Sequence, residues 1–231
     1  MEENNLVGSF EDSLGADIVE FAGDTVEFGA DLCMDDGILK DFPFVGTAFK
    51  LYSIGSKIYD RHCLGKLYSF IIAINQGSCS KEDKERRRRK FAERKSFREQ
   101  ELQYLLVLID RYIGFEKPQQ LAKLYLAYLD GKIVWEELSM YAEIIDRFLM
   151  LDSKMLTSNE IEFTVHRNIG NESILRLVAL GLMVEITDFS AFQKRENGNI
   201  GMTWGTLTKS ISTDKKYKRT ESGDKLAEIL R

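Results

Sequence analysis

Proline and cysteine are scarce in this chain of 231 residues, and it has no long stretch free of charge. Two prolines and 17 glycines are too few for a loop-rich β protein, so long helices with few breaks are expected. The cysteines Cys33, Cys63 and Cys79 have no disulfide or metal spacing, which predicts reduced thiols in a cytoplasm. The longest charge-free run, LYSFIIAINQGSCS, is shorter than the roughly 18–20 residues of a spanning helix.

Patterns for catalysis and metal binding are missing as well. His62 and His166 have no metal-ligand spacing, and the sequence has no phosphate-cradling glycine loop, nucleophile elbow or His/Cys/Asp cluster. The start, MEENN, has no apolar core for a secretory signal. We therefore expect no enzyme activity, cofactor or metal, and a soluble protein that is cytoplasmic at rest.

Acidic residues are concentrated at the N-terminal end. Residues 1–39 contain eleven acidic side chains and no Lys or Arg. Five of the acids recur at steps of three and four, which places them on one face of a predicted helix. This acidic stripe consists of Asp17, Glu20, Asp24, Glu27 and Asp31. It is a solvated face, a docking surface for a basic partner, or a set of carboxylates facing an aqueous lumen in an oligomer.

Residues 81–98 form a basic run with ten basic and four acidic side chains. Its consecutive arginines surround a predicted helix and are Arg86, Arg87, Arg88 and Arg89. Three interpretations are open: internal ion pairs such as Glu82 with Arg86 and Glu85 with Arg89, docking on the acidic helix, or contact with phosphates or anionic lipid. No aromatic residue lies within the run before Phe91, so base stacking is not expected there.

The stretch DDGILKDFPFVGTAFKLYSIGSKIYDR, residues 35–61, is both apolar and charged. Pro43 predicts a new helix near Val45, and a second apolar helix, LGKLYSFIIAIN, follows. Seven Leu, Ile, Phe and Val side chains in residues 42–59 favour insertion by roughly 2–4 kcal/mol, while two lysines oppose it by roughly 5–7 kcal/mol. The segment therefore inserts only if several copies turn the lysines toward a shared lumen; otherwise it is a buried hairpin in a bundle. The membrane or pore candidates are Phe42, Phe44, Val45, Phe49, Lys50, Leu51, Ile54, Lys57 and Ile58.

The rest of the chain predicts helices followed by a small α+β region. Residues 97–152 read as helical, with Leu102, Ile109 and Ile113 facing inward, Pro118 in a first turn and a stop at residues 130–131. Residues 157–160 look like a capping box that starts another helix. The next helix, NESILRLVALG, is expected to turn Ile174, Leu175, Val178 and Leu180 inward. LMVEI, MTWGTLTKSI and KKYKR then predict strands, and Thr220 caps a final helix.

This C-terminal order of helix, strand, wing, strand and closing helix resembles the end of a bacterial winged-helix domain. The sequence is therefore expected to be mainly α, with N-terminal amphipathic helices and a helical bundle followed by a winged-helix-like α+β domain. The expected divisions are residues 1–80, 81–152 and 153–231.

Nucleic-acid contact by this domain would depend on its wing. The helix at the recognition position has a single basic residue, Arg176, which is poor for a major groove. Basic residues are frequent from residue 194 onward, and the candidates are Lys194, Arg195, Lys209, Lys215, Lys216, Lys218 and Arg219. Because winged helices also bind proteins, a protein partner stays open as an alternative.

The whole order also resembles a family of small helical proteins. The acidic helix, GILKDFPFVGTAFKLYSIGSKIYDR, the basic helix, LAKLYLAYLDGKIVWEELSMYAEIIDRF and the winged-helix end are similar to membrane effectors of bacterial anti-phage, abortive-infection loci of the Hailong type. The resemblance implies a homo-oligomer that a nucleotide-derived ligand holds shut and that permeabilises the inner membrane on infection. The alternative is a soluble adaptor or transcriptional regulator that binds DNA or a partner protein.

Overall fold

The computed structural model describes residues 3–15, 43–52, 57–76, 80–94, 97–165, 172–186 and 215–231. Within these ranges the chain has ten helices and a three-stranded antiparallel sheet near the C-terminus, which confirms the mainly helical prediction. The chain divides into an N-terminal unit, Met1–Arg147, and a C-terminal unit, Phe148–Arg231. Some predicted sites lie outside the described residues, namely the acidic stripe, Phe42, Ile54, Lys194, Arg195 and Lys209.

Seven described helices make up the N-terminal unit. They are α1 (Glu3–Gly15), α2 (Pro43–Tyr52), α3 (Lys57–Gln76), α4 (Lys81–Glu93), α5 (Arg98–Arg111), α6 (Glu116–Leu129) and α7 (Trp135–Arg147). Local signals set several of these bounds. Pro118 lies in the first turn of α6, where its missing N–H is not needed, and α6 ends before Gly131, whose φ of 75° suits glycine. Both features confirm the predictions for this segment.

The core of the N-terminal unit forms around α3 and α6, which pack closely against each other. On α3, the predicted apolar face is buried at Leu67, Tyr68, Ile71 and Ile74. Leu102 and Ile109 on α5 are also buried, but Ile113 is 86% exposed, so the prediction that it faces inward was wrong. The reason is that α5 ends at Arg111, and the helical period therefore does not continue to Ile113.

Polar side chains of α3 hold the connection between α5 and α6. The buried Lys66 ammonium donates to the carbonyl oxygens of Asp110, at 2.6 Å, and Tyr112, at 2.9 Å. One turn further, Ser69 Oγ donates to the carbonyl of Phe115 at 2.9 Å. Burial lowers the pKa of Lys66, although nearby Cys63 and Asp110 act to raise it. The two Lys66 bonds satisfy carbonyls that the end of α5 leaves without helical partners, and the Ser69 bond holds the start of α6.

In the C-terminal unit, the described elements alternate between helix and strand. They are α8 (Met150–Leu156), β1 (Glu162–Val165), α9 (Glu172–Ala179), β2 (Met183–Ile186), β3 (Lys215–Arg219) and α10 (Glu221–Leu230). The antiparallel sheet has the order β1-β3-β2, with Phe163 opposite Tyr217. Both of these side chains are buried, which fixes the inner face of the sheet. Thr220 caps α10 by accepting a bond from the Gly223 N–H, as predicted.

Two local predictions for this unit were wrong. Thr157 ends α8 instead of starting a helix: its Oγ1 donates to the Ser153 carbonyl at 2.9 Å, and a strand follows at residues 162–165. Pairing with β3 determines this outcome, since β1 lies along that strand. In α9 the inward positions are Ile174 and Leu177, while Leu175 is 54% exposed.

Candidate functional site

The membrane candidates lie in α2 and at the start of α3. Phe44, Val45 and Ala48 are fully or almost fully buried, whereas Lys50 is exposed. Phe49 and Leu51 belong to α2, and Lys57 and Ile58 to α3. Within the described part of the chain, none of the helices combines the length and the apolar character that crossing a membrane requires.

Helices α1 and α2 form a layer whose centre is Phe10. The Phe10 ring is fully buried and contacts the rings of Phe44 at 4.8 Å, Phe91 at 5.2 Å and Tyr125 at 5.8 Å between centroids. Ser9 and Thr47 share a hydroxyl hydrogen bond of 3.1 Å between the two helices. The apolar face of α2 is therefore covered largely by α1, with a smaller contact to α3.

The arginines of α4 contact acidic residues of the same chain. Arg87 is buried, and its Nε and Nη2 donate to the two carboxylate oxygens of Asp130 at 3.0 and 2.7 Å. Burial alone would raise the pKa of Asp130, but the hydrogen bonds and charge of Arg87 and Arg86 hold it below its ordinary value. Arg86 also pairs with Asp83, and the Arg89 Nε contacts the carbonyl oxygen of Glu85 at 3.4 Å.

A second group of ion pairs connects α1 to the basic segment. Arg88 Nη2 lies 3.1 Å from Asp12 Oδ1, and Arg88 Nε lies 3.8 Å from Glu11 Oε1. Arg98, at the start of α5, approaches the other oxygen of Glu11 at 3.6 Å. The basic run thus docks on acidic residues of α1, which precede the acidic stripe in the sequence.

An aromatic cluster lies beside the basic segment and was missed at the level of sequence. The Arg94 guanidinium lies 4.1 Å from the centre of the Tyr128 ring and 3.6 Å from the buried carboxylate of Glu101. The Trp135 ring is 5.4 Å from both Tyr128 and Tyr104. Trp135 and Tyr104 are half-buried, so partly accessible aromatic rings lie next to the planar guanidinium of Arg94. These residues come from α5, α6, α7 and the end of α4, and no local sequence pattern brings them together.

The basic residues of β3 lie on both faces of the sheet. Lys216 and Lys218 are exposed on the outer face, where Lys218 stands between Glu162 and Val184 in neighbouring strands. Lys215 pairs with Glu185 at 2.8 Å. Arg219 pairs with Asp224 at 2.6 Å, and its Nη1 donates to the carbonyl oxygens of Leu156, which ends α8, and Ser158. Two of the four predicted positions therefore present their charges on an open surface.

Arg176 is bound to a carboxylate within the C-terminal unit. Its Nε and Nη2 donate to Asp152 at 2.9 and 2.7 Å, which ties α9 to α8. Burial acts to raise the pKa of Asp152, but hydrogen bonds from Arg176 and Ser173, together with its other contacts, keep it below the ordinary value. The most exposed side chains of α9 include Glu172 and Leu175, and the positive charge of Arg176 is paired with Asp152 and Glu172.

The described residues contain no candidate metal site, and comparison with known proteins gives no match. Within the described ranges, no group of three or more His, Cys, Asp and Glu side chains could hold a metal ion. No protein-family model matches this chain, and no match was found among the curated proteins or the solved structures.

Proposed function

We propose that this protein is a membrane-acting effector of the anti-phage defence type, whose α1–α2 layer leaves the helical body when the protein is activated. The observation that carries the proposal is the way α2 is buried. Its apolar residues Phe44 and Val45 are buried, Phe44 against Phe10 of α1, and partly exposed ion pairs help to hold α1 in place. Such a layer can exchange one apolar partner for another.

The magnitudes favour exchange into lipid or a neighbouring subunit over release into water. Five Leu, Phe and Val side chains of the layer are buried: Leu6, Phe10, Leu14, Phe44 and Val45. Exposing them to water costs roughly 7–15 kcal/mol, at about 1.5–3 kcal/mol each. The exposed ion pairs add only about 0–1 kcal/mol each. Burying these side chains in a bilayer or in an oligomer recovers most of the free energy lost by leaving the helical body. Activation therefore requires such an acceptor.

Dye release from vesicles that contain an anionic lipid tests this function. The full chain should release dye, and its expression should depolarise cells. Phe49→Asp, in α2, should abolish both effects while the helical fold is retained. Val107→Asp is the matched control, because Val107 is apolar and 52% exposed on α5, outside the layer. Leakage that persists in a folded Phe49→Asp protein would exclude the pore role.

The C-terminal unit is proposed to be a winged-helix module. Support comes from the strand order β1-β3-β2, with α9 before β2 and α10 after β3. In this proposal the wing corresponds to residues 187–214, which connect β2 to β3 in the sequence and lie outside the described residues. Since Arg176 is engaged by Asp152 and Leu175 is exposed, this module fits a protein partner better than a DNA major groove.

The second candidate function, a soluble adaptor, is favoured by the same two features of α9. In that case α2 remains permanently buried and the C-terminal unit binds a partner protein. Absence of both dye release and depolarisation would leave this adaptor as the better interpretation.

A ligand of the effector is proposed to bind near α4. Arg86 and Lys90 are one turn apart on the same side of α4, and Arg94, which follows the last residue of the helix, extends this row to about 12 Å. The row ends beside Tyr128 and Trp135. Cations next to the half-buried Trp135 ring suit an oligonucleotide or nucleotide-derived ligand, because phosphates and bases are bound by these two kinds of group.

A further inference from the structure

We infer that four charged residues form an autoinhibitory clamp that keeps α1, and with it α2, on the helical body. The α1 clamp consists of Glu11, Asp12, Arg88 and Arg98. This inference rests on the proposed function, since it assigns the regulation of the same layer. It concerns the contact between helices within the N-terminal unit.

The position of the clamp lets it control the apolar contact beneath. Glu11 follows Phe10 directly, and Arg88 precedes Phe91 by one helical turn. The Phe10 and Phe91 rings meet edge to face at 5.2 Å between centroids. The charged pairs therefore lie beside the ring contact that closes α1 onto α4. If the ion pairs separate, the ring contact loses the adjacent interactions that hold α1 against α4.

The clamp is also weak enough to open. The side chains of Arg88 and Asp12 are 40% and 66% exposed, so water and salt compete for both charges. Two of the three ion pairs have separations of 3.6 and 3.8 Å, longer than a direct charged hydrogen bond. The Nε of Arg98 is buried without a hydrogen-bond partner among the described residues. By contrast, the Arg87–Asp130 pair is short, bidentate and largely buried, which suits a permanent connection.

The distance between α1 and α4 tests the clamp directly. Spin labels are placed at Gly8→Cys and Glu85→Cys in a background with Cys33, Cys63 and Cys79 changed to Ser. Both labelled positions are exposed, and a Cβ at Gly8 meets no atom within 4 Å. The parent should give one narrow distance. In detergent micelles, which supply the apolar acceptor that opening requires, Glu11→Lys with Asp12→Lys should add a longer, broad distance and raise the open population about tenfold.

A charge swap separates electrostatics from simple damage. Adding Arg88→Glu and Arg98→Glu to the reversed protein should restore the narrow distance. Glu82→Lys is the matched control, because it reverses an exposed charge on the same helix about 120° away from Arg88. If the reversed protein loses its helical circular dichroism, Glu11→Gln with Asp12→Asn replaces it and should show a smaller rise in the open population.

Either of two results overturns the clamp: a folded reversed or neutralised variant with the parent's distance distribution, or a swap that fails to restore it. Because no membrane is present, the outcome is independent of dye release. An opening clamp in a protein that never releases dye would contradict the proposed function and leave the clamp intact.

Discussion

At the scale of single residues, the basic run contains side chains with opposite roles. Arg87 is buried against Asp130, while Arg89, two residues further along, is exposed and contacts a carbonyl of its own helix. Adjacent positions in a helix point about 100° apart, so consecutive arginines meet different surroundings. A basic run in a sequence therefore does not define one binding surface.

Replacing Arg87 should destabilise the N-terminal unit strongly. Arg87→Ala leaves the Asp130 carboxylate largely buried without its bidentate partner, a change that costs about 3–5 kcal/mol. The measurement is the free energy of unfolding in urea. Arg89→Ala is the control and should change it by less than about 0.5 kcal/mol, since its side chain is exposed. Equal effects of the two substitutions would contradict the structural role assigned to Arg87.

Asp152 should make the stability of the C-terminal unit depend on pH. Its folded pKa lies below the ordinary 3.8, so its stabilising contribution is present above that value and is lost as pH falls through the lower, folded pKa. Asp152→Asn should therefore be less stable than the parent at pH 7 and at pH 5, and the difference should shrink below about pH 4. Unfolding curves at pH 7, 5 and 3 measure this.

The control for Asp152 is an exposed carboxylate in the same unit. Glu228→Gln on α10 should leave the unfolding free energy within about 0.5 kcal/mol of the parent at pH 7. A difference between Asp152→Asn and the parent that stays constant down to pH 3 would show that the Arg176 pair is not what stabilises the unit.

At the scale of elements, the start of α10 is fixed by a close approach of two backbones. A Cβ added at Gly223 would lie 2.1 Å from the carbonyl oxygen of Leu182. Gly223→Ala should therefore destabilise the C-terminal unit, although alanine is the better helix former by about 1 kcal/mol. The melting temperature checks this prediction. Ser222→Ala, at the exposed neighbouring position, is the control and should not lower it. A Gly223→Ala protein as stable as the parent would contradict the close approach.

Signals that act over a few neighbouring residues predicted correctly where several helices begin and end. Pro118, Gly131 and Thr220 each have a local conformational reason, and each lies where the sequence indicated. The prediction of a capping box at residues 157–160 was wrong because pairing with β3, far along the chain, determines the structure of that segment. The prediction that Leu175 faces inward was wrong because an apolar residue in a short amphipathic helix can face either side.

At the scale of the whole molecule, the sequence indicated the basic residues of the candidate site but not the residues that the fold places beside them. Arg87 and Asp130 are 43 residues apart, and Arg94, Tyr128 and Trp135 belong to separate segments. Because no sequence pattern encodes such separations, base stacking near the basic run was not expected. The fold brings aromatic rings to the end of that run.

Binding of a short single-stranded DNA should therefore change the fluorescence of Trp135. In a Trp204→Phe background, Trp135 is the only tryptophan, so its quenching reports stacking. Trp135→Ala should weaken oligonucleotide binding about tenfold, within the range for loss of one stacked base. Arg86→Glu with Lys90→Glu should weaken it and reduce its salt dependence, because two phosphate contacts are removed.

The controls for this experiment separate bases from charge alone. Inorganic polyphosphate should bind through the cations without quenching Trp135, and Lys81→Glu should have a smaller effect than the paired reversal, because Lys81 lies on another side of α4. Oligonucleotide binding that leaves the Trp135 emission unchanged would exclude stacking at the aromatic cluster. Binding unaffected by reversal of Arg86 and Lys90 would exclude α4 as the phosphate surface, since that row provides the nearest cations along the helix leading to Arg94.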